Sequence, residues 1–140
     1  MDGYELSRFV VAQEGAMAGV YAELAAGEKQ GHWMWFIFPQ IQGLGFSFMA
    51  QKYAIKSSDE AQAYLQHPVL SERLIKCTDI ILNVESRSAA QIFGFPDVLK
   101  FCSSMTLFAK VGSENNIFDL AIQKYYEGKY DQKTISLLKL

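Results

Sequence analysis

The feature that most constrains this chain is an unbroken run of six bulky apolar residues, WMWFIF, at Trp33–Phe38. A buried aromatic side chain removes roughly 150–250 Å² of surface from water, so a chain of 140 residues has to build its core around this run. His32 precedes the run, and Pro39 and Gln40 follow it. Polar groups joined directly to such a core segment are candidates for a functional site.

The conformation of the run is ambiguous from local pattern alone. Its aromatic and β-branched residues favour a strand, whereas its shortness also permits one or two turns of buried helix. Pro39 ends the run in either case, because proline has no N–H to donate and disfavours helix at Phe38. Both conformations therefore stay open at this point.

The rest of the chain has the apolar spacing of helices. Leu6 to Ala26 is the first helical segment, and Gly15 and Gly19 predict a bend or a split in it, because each costs about 1 kcal/mol relative to alanine. Later helices begin at capping residues: Ser57 and Ser88 each precede a Glu or a Gln by three positions. No alternating pattern predicts a β-hairpin.

Composition narrows the function classes. Half the residues are hydrophobic and a fifth are charged, as in ordinary globular proteins, and we expect one mainly α-helical domain over residues 1–140 with about seven helices. The formal net charge of −2 gives no basic surplus for a phosphate backbone, which disfavours nucleic-acid binding. No apolar stretch approaches the ~20 residues of a membrane span, and no signal-peptide pattern opens the chain. We therefore expect a cytoplasmic protein and leave its oligomeric state open.

Metal and phosphate-loop motifs are not evident in the sequence. His32 and His67 lie far apart and in no metal-binding pattern. Cys77 and Cys102 fall within apolar helical patterns, which favours buried thiols over a disulfide. The GLG at 43–45 lacks the third glycine and the preceding strand of a dinucleotide fingerprint. We predict no cofactor and no metal site.

Three segments carry a resemblance to one protein family. They are HWMWFIFPQIQGLGFSFMAQKYAI (His32–Ile55), AYLQHPVL followed by RL (Ala63–Leu74) and IFGFPDVLKFCSSMTLF (Ile92–Phe108). These segments resemble the bacterial proteins of unknown function family 1810, and the resemblance covers nearly the whole chain. It implies a compact, mainly α-helical domain and favours helix for Trp33–Phe38, but it implies no activity. Some members carry the label "calpastatin", which does not suit this chain because calpain inhibitors are disordered.

His32 is the first candidate for chemistry. An imidazole changes protonation near neutral pH, which suits a general acid or base. The alternative is a structural histidine that is hydrogen-bonded to backbone at the start of the aromatic run. The sequence leaves both interpretations open.

Lys100, Ser103, Ser104 and Thr106 form the second candidate. Residues three or four apart share one face of a helix, which places Lys100 beside Ser103 and Ser104. A lysine beside hydroxyls can bind an anion or help to deprotonate a serine nucleophile, and Ser104 is our candidate for that role. The alternatives are serines bonded back to the helix backbone and a solvated lysine. No serine-hydrolase motif accompanies the cluster.

Further residues could complete a pocket around these candidates. Trp33 and Trp35 lie about 200° apart on a helix, so one of them could be core while the other lines the pocket. Arg8 could supply a second cation. The amides of Gln13 and Gln40 need hydrogen-bond partners, which either the backbone or a ligand could provide.

Two functional hypotheses follow from these residues. In the first, the protein binds, and in a stronger form turns over, a small anionic, nucleotide-like metabolite beside the aromatic run. His32 is then the acid or base and Ser104 the hydroxyl donor or nucleophile, and the binding residues are Arg8, Gln13, Trp33, Gln40, Lys100 and Ser103. In the second, the protein is a helical interaction module whose aromatic-lined groove takes a helix or peptide of a partner.

Overall fold

The computed structural model describes residues 2–139. Over this range the chain forms ten helices: α1 (Ser7–Gln13), α2 (Met17–Ala25), α3 (Met34–Ile37), α4 (Phe48–Lys52), α5 (Ser58–Gln66), α6 (Pro68–Leu82), α7 (Ala89–Phe93), α8 (Asp97–Val111), α9 (Ile117–Tyr126) and α10 (Gln132–Leu138). None of these described helices is long and apolar enough to cross a membrane. The predicted mainly α-helical class is confirmed. The helices outnumber the expected seven or so because α3, α4 and α7 are each only one or two turns long.

Glycines and capping side chains set the helix boundaries. Gly15, at φ +77°, separates α1 from α2, whereas Gly19 lies inside α2 without breaking it. The Ser57 hydroxyl accepts the N–H of Glu60 at 3.1 Å, as the capping pattern predicts. The Glu60 carboxylate departs from that pattern, since it accepts the N–H of Lys56 at 3.0 Å, one residue before the cap.

Side chains also cap the N-termini of α6 and α7. Ser88 and Gln91 form a complete capping box at the start of α7. His67 caps α6, because its Nδ1 atom accepts the N–H groups of Val69 and Leu70, each at 3.2 Å. Sequence reasoning did not foresee this role for His67.

The aromatic run forms helix α3 and its two flanking residues, and four of its six side chains are buried in the hydrophobic core. The rings of Phe38 and Phe101 meet edge to face with centroids 5.0 Å apart, and Phe101 stacks on Phe93 at 4.5 Å. Helix α8, which carries Phe101, contacts α5, α7, α9 and α10. Its N-terminal end, with Asp97 and Lys100, stays partly accessible beside the aromatic run. The packing therefore brings the start of α8 next to α3.

Candidate functional site

A cleft of about 350 Å³ lies between the loop before α3 and the start of α8. We call it the first cleft. It is lined by Lys29, Gln30, His32, Met34, Trp35, Phe93, Phe95, Pro96, Asp97 and Lys100. Its volume falls at the lower end of the ~300–1,000 Å³ that small-molecule sites occupy. His32 and Lys100, both named from the sequence, line this one cleft.

The charged pairs of the first cleft leave one positive charge in excess. The ammonium of Lys29 lies 2.9 Å from one carboxylate oxygen of Asp97, and the ammonium of Lys100 lies 3.4 Å from the other. Lys29 also donates to the Gly31 carbonyl, and only 7% of its side chain is exposed. The Lys100 side chain is 27% exposed. Lys100 is therefore the ammonium that an incoming anion can reach.

Trp35 forms an aromatic wall of the first cleft. The Lys100 ammonium lies 5.2 Å from the centroid of the Trp35 ring, within cation–π range. Trp33, the tryptophan assigned to binding from the sequence, is buried instead, and its indole N–H donates to Glu23 at 3.0 Å. Spacing alone shows that the two rings diverge, but it does not show which of them faces a cleft.

One carboxylate oxygen shapes the loop that carries His32. The Oε1 atom of Glu23 accepts the N–H groups of Gln30 and Gly31 at 2.6 and 2.8 Å, beside the Trp33 indole. Burial raises the pKa of the Glu23 carboxyl, but these hydrogen bonds outweigh burial and hold the pKa below its ordinary value. The His32 side chain is exposed and forms no hydrogen bond with any other residue in the range 2–139. The imidazole is thus accessible to a ligand and is not tied to the backbone.

A second cleft, of about 270 Å³, adjoins the first. It is lined by Gln40, Leu44, Gly45, Ala50, Pro96, Leu99, Lys100 and Ser103. Pro96 and Lys100 line both clefts and form the boundary between them. Gln40 and Ser103, two of the predicted binding residues, therefore face the neighbour of the cleft that holds His32.

Arg8 lines neither of these clefts. Its guanidinium donates to the carbonyls of Lys52 and Ala54 at 3.0 and 2.9 Å and to the buried carboxylate of Glu60 at 2.8 Å. Its remaining N–H groups bind backbone carbonyls just before α1. Arg8, the cation expected to contact an anion, instead forms a clasp that holds α1 against the end of α4, the segment after it and α5.

Gln13 and Ser104 lie inside the core. The Gln13 amide donates to the Phe36 carbonyl at 2.8 Å and accepts from Arg73 at 3.2 Å. Ser104 is fully buried, and its hydroxyl has no hydrogen-bond partner among the described residues. Lys100 reaches the clefts because its four-carbon chain extends beyond the helix surface, which the short side chain of Ser104 cannot do.

Ser103 belongs to a network that joins α8 to α10. Its hydroxyl lies 2.8 Å from the Asp131 carboxylate and 3.1 Å from the Leu99 carbonyl. The hydroxyl of Thr134 donates to the same carboxylate oxygen, and the Asp131 N–H donates to the Thr106 hydroxyl at 2.9 Å. Two of the three hydroxyls of the sequence cluster, those of Ser103 and Thr106, are thus engaged in tertiary structure.

Comparison with known proteins decides the family. The family model described as "Protein of unknown function (DUF1810)" matches residues 3–138. The chain belongs to this family. It is also similar to the solved structure of the conserved hypothetical protein Rv1873 from Mycobacterium tuberculosis, at 51% identity and a TM-score of 0.97, with 99% of each chain covered. No curated protein matches the chain.

Lys29, Phe95 and Asp97 are among the residues of the first cleft in this DUF1810 protein that were not predicted from the sequence. Asp97 and Lys100 are three apart on α8, so helical spacing could have suggested their ion pair. Lys29 joins them only through the path of its loop, which local pattern does not reveal. Phe95 stands out only in the structure, as a largely exposed aromatic at the rim of the cleft.

The two thiols of the DUF1810 chain are poorly placed for chemistry. Cys77 and Cys102 are free, as their helical pattern predicts. Burial raises the pKa of Cys77 to about 12 and the pKa of Cys102 to about 11. Residues 2–139 also contain no group of three or more His, Cys, Asp and Glu side chains that could hold a metal ion.

Proposed function

We propose that this DUF1810 protein is a cytoplasmic binder of a small anion that carries a flat ring, such as a nucleotide-like metabolite, in the first cleft. In the stronger form of the proposal it also turns this ligand over. The single observation that carries the proposal is the convergence of His32, Trp35 and Lys100 on one cleft whose ion pairs leave a positive charge in excess.

Each of these residues has a distinct role in the proposal. Lys100 contacts the anionic group, because its ammonium is accessible and only loosely paired with Asp97. Trp35 stacks on the ring of the ligand, a contact worth about 1–3 kcal/mol for a nucleic-acid base. His32 donates or accepts a proton, since its imidazole is exposed and unengaged on the same cleft. Arg8, Gln13, Trp33 and Ser104 have no part in the proposal because their side chains are bound or buried elsewhere.

Thermal unfolding in the presence of nucleoside monophosphates and aryl phosphates tests the proposal. A ligand that binds the folded protein stabilises it by about 2.7 kcal/mol at a concentration 100 times its Kd, so at least one anion should raise the Tm of the wild type. Lys100→Ala should abolish the increase. Lys110→Ala is the matched control, because Lys110 lies on the same helix and also stands over an aromatic ring, Tyr130, at 4.0 Å.

Two results would contradict this proposal. The first is that no anion of the set raises the Tm of the wild type. The second is that Lys100→Ala and Lys110→Ala respond to the anions alike. For turnover, His32→Gln should keep the ligand-induced increase in Tm and lose any conversion of the ligand.

The second candidate function is a module that binds a helix or peptide of a partner protein. The observation that favours it is a set of apolar side chains that are mostly exposed, Phe46, Phe48, Phe95 and Leu99. Capture of one stoichiometric partner by the wild type, lost in a Phe46→Ser, Phe48→Ser double variant but kept in Lys100→Ala, would favour this function over the first. The formal net charge of −2 supports a partner other than nucleic acid.

A further inference from the structure

We propose that the ligand of the first cleft is a two-armed monoanion, with an aromatic arm in the first cleft, a short alkyl arm in the second cleft and its charged group on Lys100 between them. A phosphodiester has this chemistry, since it carries one negative charge and two substituents. This inference rests on the proposed function and narrows the class of ligand.

The two clefts are arranged to hold one molecule. Pro96 and Lys100 line both of them, so a ligand that occupies both has to pass these two residues. The clefts have volumes of about 350 and 270 Å³. Each is large enough for one arm, while the charged group of the ligand stays at their common boundary.

The two clefts differ in polarity, as a ligand with two unlike arms would require. The first cleft combines aromatic side chains with the charged groups and His32. The lining of the second cleft is mostly apolar and includes Leu44, Gly45, Ala50, Pro96 and Leu99. Gln40 and Ser103 also line the second cleft, and the Ser103 hydroxyl is engaged with Asp131 at 2.8 Å. The second cleft therefore suits an arm without charge and with few polar atoms.

The charges of the site favour a single negative charge on the ligand. Lys29 is nearly buried and already bound to Asp97 and to the Gly31 carbonyl. Lys100 is left as the accessible cation, and Asp97 lies 3.4 Å from it. A dianion would bring a second negative charge close to the Asp97 carboxylate, where like charges repel. A diester monoanion matches the one ammonium that is available.

Calorimetric titration with two synthetic diesters tests the inference. Methyl phenyl phosphate and butyl phenyl phosphate have the same charge and the same ring, and they differ by three methylenes. Each methylene that is fully buried tightens binding by about fourfold, so half-burial of three predicts about tenfold tighter binding of the butyl ester by the wild type. Phenyl phosphate, a dianion with the same ring, should bind more weakly than either diester.

Two leucine variants locate the alkyl arm. Leu99 lines the second cleft and is 56% exposed, while Leu120, on α9, is 55% exposed and lines neither cleft. Leu99→Ala should reduce the advantage of the butyl ester to about threefold, because it removes much of the apolar wall. Leu120→Ala should leave the tenfold advantage unchanged. Both positions are exposed enough that the variants should fold.

The outcomes separate this inference from the proposed function. Equal affinity of the wild type for the two diesters would overturn the two-armed ligand while the anion site stood. An advantage of the butyl ester that Leu99→Ala and Leu120→Ala affect alike would overturn it as well, since the alkyl arm would lie outside the second cleft. Failure of all three phosphates to bind would overturn the anion site and the two-armed ligand together.

Discussion

The ammonium of Lys29 lies 2.9 Å from the carboxylate of Asp97, and the loop before α3 is thereby fastened to the start of α8. The same carboxylate lies 3.4 Å from Lys100, whose side chain is the more exposed of the two. The two lysines of the first cleft therefore differ in exposure and in how tightly they are paired with Asp97. Lys29 builds the cleft, while Lys100 is available to what enters it.

This difference predicts different effects for the same substitution at the two positions. Lys29→Met should lower the free energy of unfolding by about 2 kcal/mol, because it breaks a largely buried ion pair and a hydrogen bond. Lys100→Met should lower it by less than about 0.5 kcal/mol and abolish anion binding. Urea unfolding followed by tryptophan fluorescence, together with titration of methyl phenyl phosphate, measures both effects. Equal losses of stability in the two variants would contradict the assignment.

Glu23 makes the stability of the His32 loop depend on pH. Its carboxyl has a pKa below its ordinary value of 4.5 in the folded protein. The contribution of the Glu23 carboxylate to stability is therefore complete above pH 4.5. It is lost as the pH falls through the lower pKa of the folded state. Glu23→Gln should lower the free energy of unfolding by about 1–2 kcal/mol at neutral pH, because a neutral amide accepts the three N–H groups more weakly.

Measurement of unfolding at pH 7 and at pH 3 checks this prediction for Glu23. The difference between wild type and Glu23→Gln should shrink at pH 3, below the ordinary carboxyl pKa of 4.5, because the unfolded chain there takes up a proton that the hydrogen-bonded carboxyl resists. Glu28→Gln is the control, since Glu28 lies exposed in the same loop and should change stability by less than about 0.5 kcal/mol. A difference that is equally large at both pH values would show that the charge of Glu23 has no role.

The clasp between Arg8 and Glu60 should be a major contributor to stability. The Glu60 side chain is fully buried and the Arg8 side chain is only 13% exposed, so removal of the Glu60 charge leaves the guanidinium without its counterion. Glu60→Gln should therefore cost about 3 kcal/mol. The neighbouring exposed carboxylate offers a control, since Asp59→Asn should cost less than about 1 kcal/mol. Similar costs in both variants would show that the clasp adds little.

Two adjacent serines should respond in opposite directions to the same change. Ser104→Ala removes a buried hydroxyl that has no hydrogen-bond partner within residues 2–139, so the free energy of unfolding should stay the same or rise by up to about 1 kcal/mol. Ser103→Ala removes the bond to Asp131 and should cost about 1.5 kcal/mol. Anion binding should persist in Ser104→Ala. Loss of binding or activity in that variant would restore Ser104 as a functional residue.

The thiols should be inert in the folded protein. With pKa values of about 12 for Cys77 and about 11 for Cys102, only about one molecule in a thousand or fewer carries a thiolate at pH 8. Ellman's reagent at pH 8 should therefore label both cysteines in urea and neither of them rapidly in buffer. Rapid labelling of one equivalent in buffer would show that Cys102, the more exposed thiol, is activated.

Local pattern predicted the helical scaffold because its causes are local. The Ser57 and Ser88 caps and the break at Gly15 follow from side-chain and backbone preferences within a few residues. The His67 cap was missed because histidine is not among the usual capping residues, although its Nδ1 lone pair serves the same purpose.

The candidate site was predictable only in part, because its geometry depends on distant partners. His32 and Lys100 were named for their chemistry, and they line one cleft because Glu23 orders one loop and Lys29 ties that loop to Asp97. Nothing in the pattern around Arg8 shows that backbone carbonyls and Glu60 use its N–H groups. Charge and residue type indicate what a side chain could do, whereas tertiary hydrogen bonds decide whether it is available.

Helix α8 has a consequence for how proteins of this architecture can diverge. Its core side carries Phe101, Ser104 and Phe108, all fully buried, while Leu99 and Lys100 reach solvent near its start. Foldability and the proposed ligand recognition thus depend on separate positions of the same fifteen-residue helix. Proteins of this architecture could therefore change Leu99 and Lys100, and with them the ligand, while they keep the core-facing residues of α8.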